Sequence, residues 1–252
     1  MDNLACLNKA INLLNILSAE PYSFNVTELS NISGLNRTTV YRILSTLEES
    51  RIVIKNENTK DYKIGPTIYH LGCTYLNNFN CEDQVPRILN EISKQTEESV
   101  GYAIREGDTV LSLYEIEINQ PLKMNYKPGL YYPMNRGCYG KCLMAYYDAD
   151  KVKELLYKQK FEKIADNTLT EPEEIFEEYK KIREQGYVIS KYEVSPYALG
   201  VGIPVFNTKG IVKACVAVSF IKGSSGKSDE ERINEFLYIL KSYSAEFTRY
   251  IP

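Results

Sequence analysis

The chain has 252 residues, 44% of them apolar, and a formal net charge of −3, which sets it among ordinary folded proteins with one large or two small domains. No run approaches the length of a membrane span, and the N-terminus lacks a basic-then-apolar signal pattern, so a cytoplasmic location is expected. A single histidine, His70, leaves Ser-His-Asp and Cys-His mechanisms without a base outside a connector segment, and no GxxxxGK[ST], GxGxxG or HExxH motif occurs.

The first apolar stripe, Leu4, Leu7, Ile11, Leu14 and Leu17, has helical period and is interrupted by Asn8, Lys9 and Asn12, which reads as a packing helix. Next comes a short helix, Val26 to Ser33, with Asn25 in the N-cap position. A tight turn at Gly34-Leu35 leads to Asn36, the N-cap of a second helix from Arg37 to Glu49. Ile52 to Lys55 and Tyr62 to Ile64 then read as two strands around the polar tip Asn56 to Asp61. Helix, turn, helix and two-stranded wing together spell a winged helix-turn-helix, which places its second helix in a DNA major groove.

That second helix has the physical pattern such a role needs. Val40, Ile43, Leu44 and Leu47 recur at i, i+3, i+4 and i+7 and form one inward stripe. The opposite face carries Thr38, Arg42 and Ser45, whose hydroxyl and guanidinium groups can read base edges or hold phosphates. Residues 1–65 balance seven basic side chains (Lys9, Arg37, Arg42, Arg51, Lys55, Lys60, Lys63) against seven acidic ones, and six of the seven basic ones fall between positions 37 and 63. A neutral domain with its cations gathered in the reading helix and wing points to dimeric, site-specific binding more than to bulk electrostatics.

Gly65-Pro66 closes the wing, and Ile68, Leu71 and Leu76 mark a connector helix from Thr67 to Asn78, followed by a frayed stretch through Asn80. The expected organisation is therefore a DNA-binding domain over 1–65, a connector over 66–80 and a second domain over 81–252. In the last, Val85, Ile88, Leu89 and Ile92 mark a helix, and Ser99 to Ile104 and Thr109 to Ile116 are strands joined at Glu106-Gly107-Asp108. Leu122 to Tyr126 reads as a further strand, and Lys141 to Tyr147 as a short helix. Thr170-x-x-Glu173 forms a capping box for a helix from Ile175 to Gln185, ended by Gly186. Tyr187 to Lys191, Leu199 to Val205 and Ile211 to Phe220 are strands, and Ser228-x-x-Glu231 caps a last helix. Helices bracketing a largely antiparallel sheet make an α+β domain of sensor type.

Several of these stretches, in this order, resemble the IclR family of bacterial transcriptional regulators over nearly the whole chain. They are Asn36 to Leu47, Ile64-Gly-Pro66, Gly129 through Pro133 to Gly140-Lys-Cys-Leu-Met-Ala145, Gln185-Gly-Tyr187, Glu193 with Pro196, Ile203-Pro-Val205 and Val218-Ser219. The resemblance implies an N-terminal winged helix-turn-helix, a connector helix and a C-terminal GAF-like effector-binding domain. It also implies a repressor that acts as a homodimer or tetramer on palindromic double-stranded operator DNA, its affinity altered by a small-molecule effector. Carried over by position, the DNA-facing set is Asn36, Arg37, Thr38, Thr39, Tyr41 and Arg42, with Lys60 at the wing. The effector set is Asn135, Cys138, Tyr139, Ser190, Gly200, Ala217 and Ser219. Asn135 stands where the family usually has His, and Tyr139 where it has a small residue. These departures turn the expected ligand from a two- or three-carbon oxo-acid to a carboxylate or carbonyl compound with an apolar or aromatic body.

Two rival readings remain open at this level. Cys138 and Cys142, at i, i+4 beside Lys141 and Arg136, suit a GAF-like thiol redox enzyme, and the helix-turn-helix suits a protein-interaction module that has lost DNA binding. The six cysteines (Cys6, Cys73, Cys81, Cys138, Cys142, Cys215) show no CxxC pair, so reduced thiols are expected, with no metal and no cofactor. The 21 tyrosines read as half-buried aromatics in place of Phe and Trp.

Overall fold

The computed structural model describes residues 2–77, 84–118 and 127–250. The chain divides into two compact units, Met1–Asn78 and Phe79–Pro252. The strand expected over 122–126 and the stretch through 78–80 lie outside the described residues.

In the first unit α1 (Asp2–Leu17), α2 (Val26–Ser33) and α3 (Arg37–Glu49) precede an antiparallel pair, β1 (Val53–Lys55) and β2 (Tyr62–Ile64), and α4 (Pro66–Asn77). Asn25 caps α2 in a full capping box with Glu28, and Gly34 ends it in the left-handed region at φ 71°, which a side chain would strain. Leu13, Leu17, Phe24, Leu29, Val40, Ile43, Leu44, Val53 and Tyr62 form the core. Phe24 and Tyr62 exchange two backbone hydrogen bonds, so the loop after α1 adds a third short strand to the wing.

Here the structure corrects the reading of α1. Its inward residues are Leu13 and Leu17, whereas Leu4, Leu7 and Ile11 are 71%, 56% and 47% exposed. Nine core side chains fill so small a unit, and the N-terminal turns of α1 run past them. Helix α4 likewise buries no residue, and Ile68, Tyr69, Leu71 and Leu76 are exposed.

The second unit is built on one antiparallel sheet in the order β5-β4-β3-β8-β7-β6. Its strands are β3 (Ser99–Glu106), β4 (Thr109–Ile116), β5 (Tyr131–Tyr132), β6 (Val188–Lys191), β7 (Ala198–Phe206) and β8 (Val212–Ile221). One face carries large side chains, among them Val100, Tyr102, Val201, Ile203, Val216, Val218 and Phe220, packed with α5 (Gln84–Thr96) and α9 (Asp229–Arg249). Strand alternation puts Gly101, Ala103, Gly200, Gly202, Cys215 and Ala217 on the other face. Small residues there let a helix come close, and α6 (Cys138–Ala145) is buried along its whole length, backed by α7 (Ala149–Lys158) and α8 (Pro172–Gln185). Strand β5 and helix α7 were not read from the sequence.

Two local expectations change. The helix expected from Lys141 starts at Cys138, with Gly137 as its N-cap. The Thr170–Glu173 capping box does not form: Pro172 opens α8 with Glu171 as N-cap, and Glu173 instead accepts a hydrogen bond from Tyr157. By contrast, Ser228 and Glu231 do cap α9 reciprocally.

A Cβ on Gly140 would stand 1.8 Å from the Pro133 carbonyl oxygen, whereas one on Gly72 in α4 would meet nothing within 4 Å. Gly140→Ala is expected to cost about 1–3 kcal/mol in urea unfolding. Gly72→Ala should be neutral or stabilising by roughly 0.5–1 kcal/mol. Equal effects would contradict the close approach of α6 to the loop before it.

Candidate nucleic-acid interface and ligand cavity

On α3, Asn36, Arg37, Thr38, Tyr41 and Arg42 are exposed and Thr39 is half-buried, while Val40, Ile43 and Leu44 are sealed inside. Six of the seven residues proposed to face DNA thus lie in the cap and first two turns of α3, five of them exposed. Asn36 Oδ1 accepts the Thr39 amide at 2.8 Å, which leaves the other first-turn amides without intrahelical acceptors and suited to a phosphate. Lys60, the seventh, sits in the wing tip at φ 63°, its ammonium 3.1 Å from Glu57. Both side chains of that pair are exposed, so it is worth little and does not hold Lys60 from a phosphate.

In the second unit a cavity of about 300 Å³ opens between α6 and the sheet. Leu130, Tyr131, Tyr132, Pro133 and Ile164 give it apolar walls, and Arg136 is its cationic side chain. Of the effector set, Cys138, Tyr139, Ala217 and Ser219 line it. Ser190 and Gly200 instead border a narrow cleft of about 20 Å³ together with Cys138 and Ser219. Register explains the grouping, since Ser190, Gly200 and Ser219 form one cross-strand row over β6, β7 and β8. Asn135 lines neither space. It is fully buried, its Nδ2 donates to the Leu169 carbonyl at 2.6 Å, and its Oδ1 is left without a partner.

The N-terminus of α6 is occupied by the protein's own acid. Glu193 accepts the Gly137 amide at 3.0 Å and the Ser190 hydroxyl at 2.8 Å through Oε2. Its Oε1 takes the buried Lys141 ammonium at 2.5 Å, and Lys141 also reaches Glu178 at 2.8 Å and the Ile189 carbonyl at 2.9 Å. Burial works against the charge of Lys141, but the two carboxylates outweigh it and hold its pKa above the usual value. The Ser190 hydroxyl is thus donated to Glu193, an arrangement the sequence reading did not anticipate.

Tyr139 reaches the other way. Its hydroxyl donates to Glu115 Oε2 at 3.1 Å, Tyr132 donates to Oε1 at 3.3 Å, and Ser112 donates to Oε1 at 2.7 Å. A Cβ on Gly101 would lie 1.9 Å from the Tyr139 hydroxyl and 2.0 Å from the Glu115 carboxylate, so this cluster exists because position 101 is glycine. Sequence reasoning missed both Glu115 and Gly101. Burial, with a smaller push from Glu117, raises the Glu115 carboxyl to about 7 against the hydrogen bonds that favour its charge.

The thiol-enzyme reading finds no support here. Burial pushes the thiols of Cys138 and Cys215 well up, away from the reactive thiolate. Among the described residues no group of three His, Cys, Asp or Glu side chains is placed to hold a metal, and no helix is long and apolar enough to cross a membrane.

Residues 73–249 match the family model for the bacterial transcriptional regulator IclR C-terminal domain, and residues 7–57 match the IclR helix-turn-helix domain. The chain belongs to the IclR family. It is 26% identical over 239 residues to the HTH-type transcriptional regulator KdgR of Escherichia coli K12, covering 95% of this chain and 89% of that protein. The crystal structure of an IclR regulator from Alicyclobacillus acidocaldarius superposes with a TM-score of 0.80 at 23% identity, covering 98% of both chains. An IclR homologue from Microbacterium hydrocarbonoxydans, crystallised with 4-hydroxybenzoate, gives 0.80 at 16% identity over 97% of this chain and 98% of that one. The IclR chain described here is accordingly a transcriptional regulator with a DNA-binding helix-turn-helix and an effector-binding domain.

Glu115 carries a pH signature. A carboxyl whose folded pKa lies above its unfolded value holds its proton more tightly in the folded protein, so its stabilisation is present in acid and lost as pH rises from 4.5 to about 7. Relative to Glu115→Gln, the wild-type protein should therefore lose unfolding free energy between about pH 5 and about pH 8. A difference between the two proteins that stays constant across urea titrations in this range would contradict it.

Proposed function

We propose that this chain is a repressor that inserts α3 into the major groove of a two-fold-related operator. A small carboxylate or carbonyl compound with an apolar or aromatic body binds in the cavity beside α6 and alters that affinity. The observation that carries the reading is α3 itself, with its core stripe sealed, Thr38 and Arg42 exposed on the opposite side, and Arg37 and Tyr41 exposed in the same two turns. Such a face supplies base-reading and phosphate-holding groups on a rigid element. The exposed apolar side chains of α1 and α4 support association of two copies, since monomeric proteins rarely leave such patches in water. Arg136, Ser219 and the apolar and aromatic walls of the cavity support a ligand with one polar head and an apolar body.

Sequencing genomic fragments retained by the purified protein, followed by footprinting, tests the DNA reading. Protection of two half-sites about 34 Å apart, or a multiple of that, is expected from a dimer. A monomer that tightly protects a single half-site would contradict it. On the selected operator Arg42→Ala should weaken binding by about 1–3 kcal/mol. Its unfolding should stay within about 0.5 kcal/mol of wild type, because the side chain is exposed. Unchanged operator affinity in a folded Arg42→Ala protein would remove this helix from the reading role.

A further inference from the structure

Tyr131, Tyr132 and Pro133 wall two spaces. One is the cavity beside α6. The other is a cleft of about 210 Å³ that shares no further lining residue with it and holds none of the effector set. The cleft follows from how β4 begins. Its hairpin with β3 turns through Gly107, at φ 56°, and Asp108, with Glu106 paired to Thr109. Strand β5 then pairs with β4 only at Val110 and Leu111. Asp108, Thr109, Tyr131 and Gln159 stay exposed around the rim, while Val110, Met134 and Met144 make a buried apolar floor.

The rim is chemically one-sided. Asp108 is a carboxylate whose Oδ1 accepts the Tyr147 hydroxyl at 3.1 Å. Gln159 gives its amide hydrogens to the Met134 sulfur at 3.0 Å and the Leu155 carbonyl at 3.3 Å, which leaves its oxygen as an acceptor. Thr109 donates its hydroxyl to the Glu106 carbonyl at 2.8 Å. Among the described residues no lysine or arginine lines the cleft, whereas the cavity beside α6 has Arg136. Of the cations around Asp108, Arg105 and Lys151 sit over the Tyr147 ring at 3.7 and 5.8 Å, and Lys158 is paired with Glu154.

We propose that this cleft is a second small-molecule site, and that it takes a primary ammonium on a short apolar or aromatic body. The ammonium brings three hydrogens to a rim of acceptors and has the rings of Tyr131 and Tyr132 beside it. The two thioethers and Val110 take the body. An apolar cavity of about 150 Å³ holds benzene, so a single ring on a two-carbon tether suits this volume. A carboxylate would meet Asp108 with no lining cation to balance it. A neutral alcohol would satisfy the acceptors without the attraction of charge. The site stands whichever ligand the cavity beside α6 takes.

Calorimetric titration of the full-length protein with phenethylamine and phenethyl alcohol, at about pH 7 and low salt, tests this. The two probes differ only in the head group, and the amine is charged at that pH. The amine should bind about 2- to 10-fold tighter than the alcohol. Salt at about 0.5 M should remove most of that advantage, because Asp108 is exposed. Asp108→Asn should bring the two probes together, and Thr109→Trp, which fills the rim, should weaken both. Both positions are exposed, and should one variant fail to fold, the other together with the salt dependence still decides. Failure of both probes to bind, equal binding in the wild-type protein, an advantage that survives Asp108→Asn or high salt, or binding indifferent to Thr109→Trp overturns the proposal.

Discussion

A charge taken wholly out of water organises the second unit. Lys141 lies in a helix with every residue buried, and its ammonium is matched by Glu193, Glu178 and the Ile189 carbonyl. Desolvating an ammonium and a carboxylate costs several kcal/mol each, so the network holds only with its partners in place, and removing one strands a buried charge. Its three acceptors come from the loop after β6, from α8 and from β6 itself. Through them α6 is tied at once to the sheet and to the outer helices. Small residues on the facing strands permit the approach, and the ion network fixes its register. The cavity is what remains between a helix so held and the aromatic side chains of β5.

The same network changes the chemistry of the cavity. A helix N-terminus ordinarily invites an anion. Here Glu193 is that anion, taking the Gly137 amide and the Ser190 hydroxyl. Arg136 and Ser219 are further polar side chains of the cavity lining. Glu115 holds the phenols of Tyr132 and Tyr139 by their hydrogens. Two carboxylates that belong to the protein thus take the hydrogens of groups around this space.

In the first unit, economy is the governing constraint. Nine side chains form the core, and they come from α1, α2, α3, both wing strands and the loop before α2. Such a core fixes the outward face of α3 because the inward face is fully used. It cannot also cover Leu4, Leu7 and Ile11 of α1 or Ile68, Leu71 and Leu76 of α4, which are exposed within the unit. The unit is neutral, with its cations on the wing and α3 and exposed apolar side chains on α1 and α4.

The sequence by itself determined the local elements and the face of α3, because caps, glycine stops and the 3.6-residue period act over a few residues. Asn25, Gly34, Asn36 and the stripe from Val40 to Leu47 carried that information without any distant contact. It also placed Cys138, Tyr139, Ala217 and Ser219 near one another through the family resemblance, and strand register then showed why they meet. Only the tertiary structure decided that Leu4, Leu7 and Ile11 face outward, because periodicity marks an apolar side without saying how far the core extends. Only it gave Ser190 and Asn135 their partners, Glu193 and the Leu169 carbonyl. Glu115 was hidden for the plainest reason. Strict alternation from Thr109 sets Ser112 and Glu115 on opposite faces of the sheet, and a single bulge against β3, which no local pattern announces, brings them to the same one.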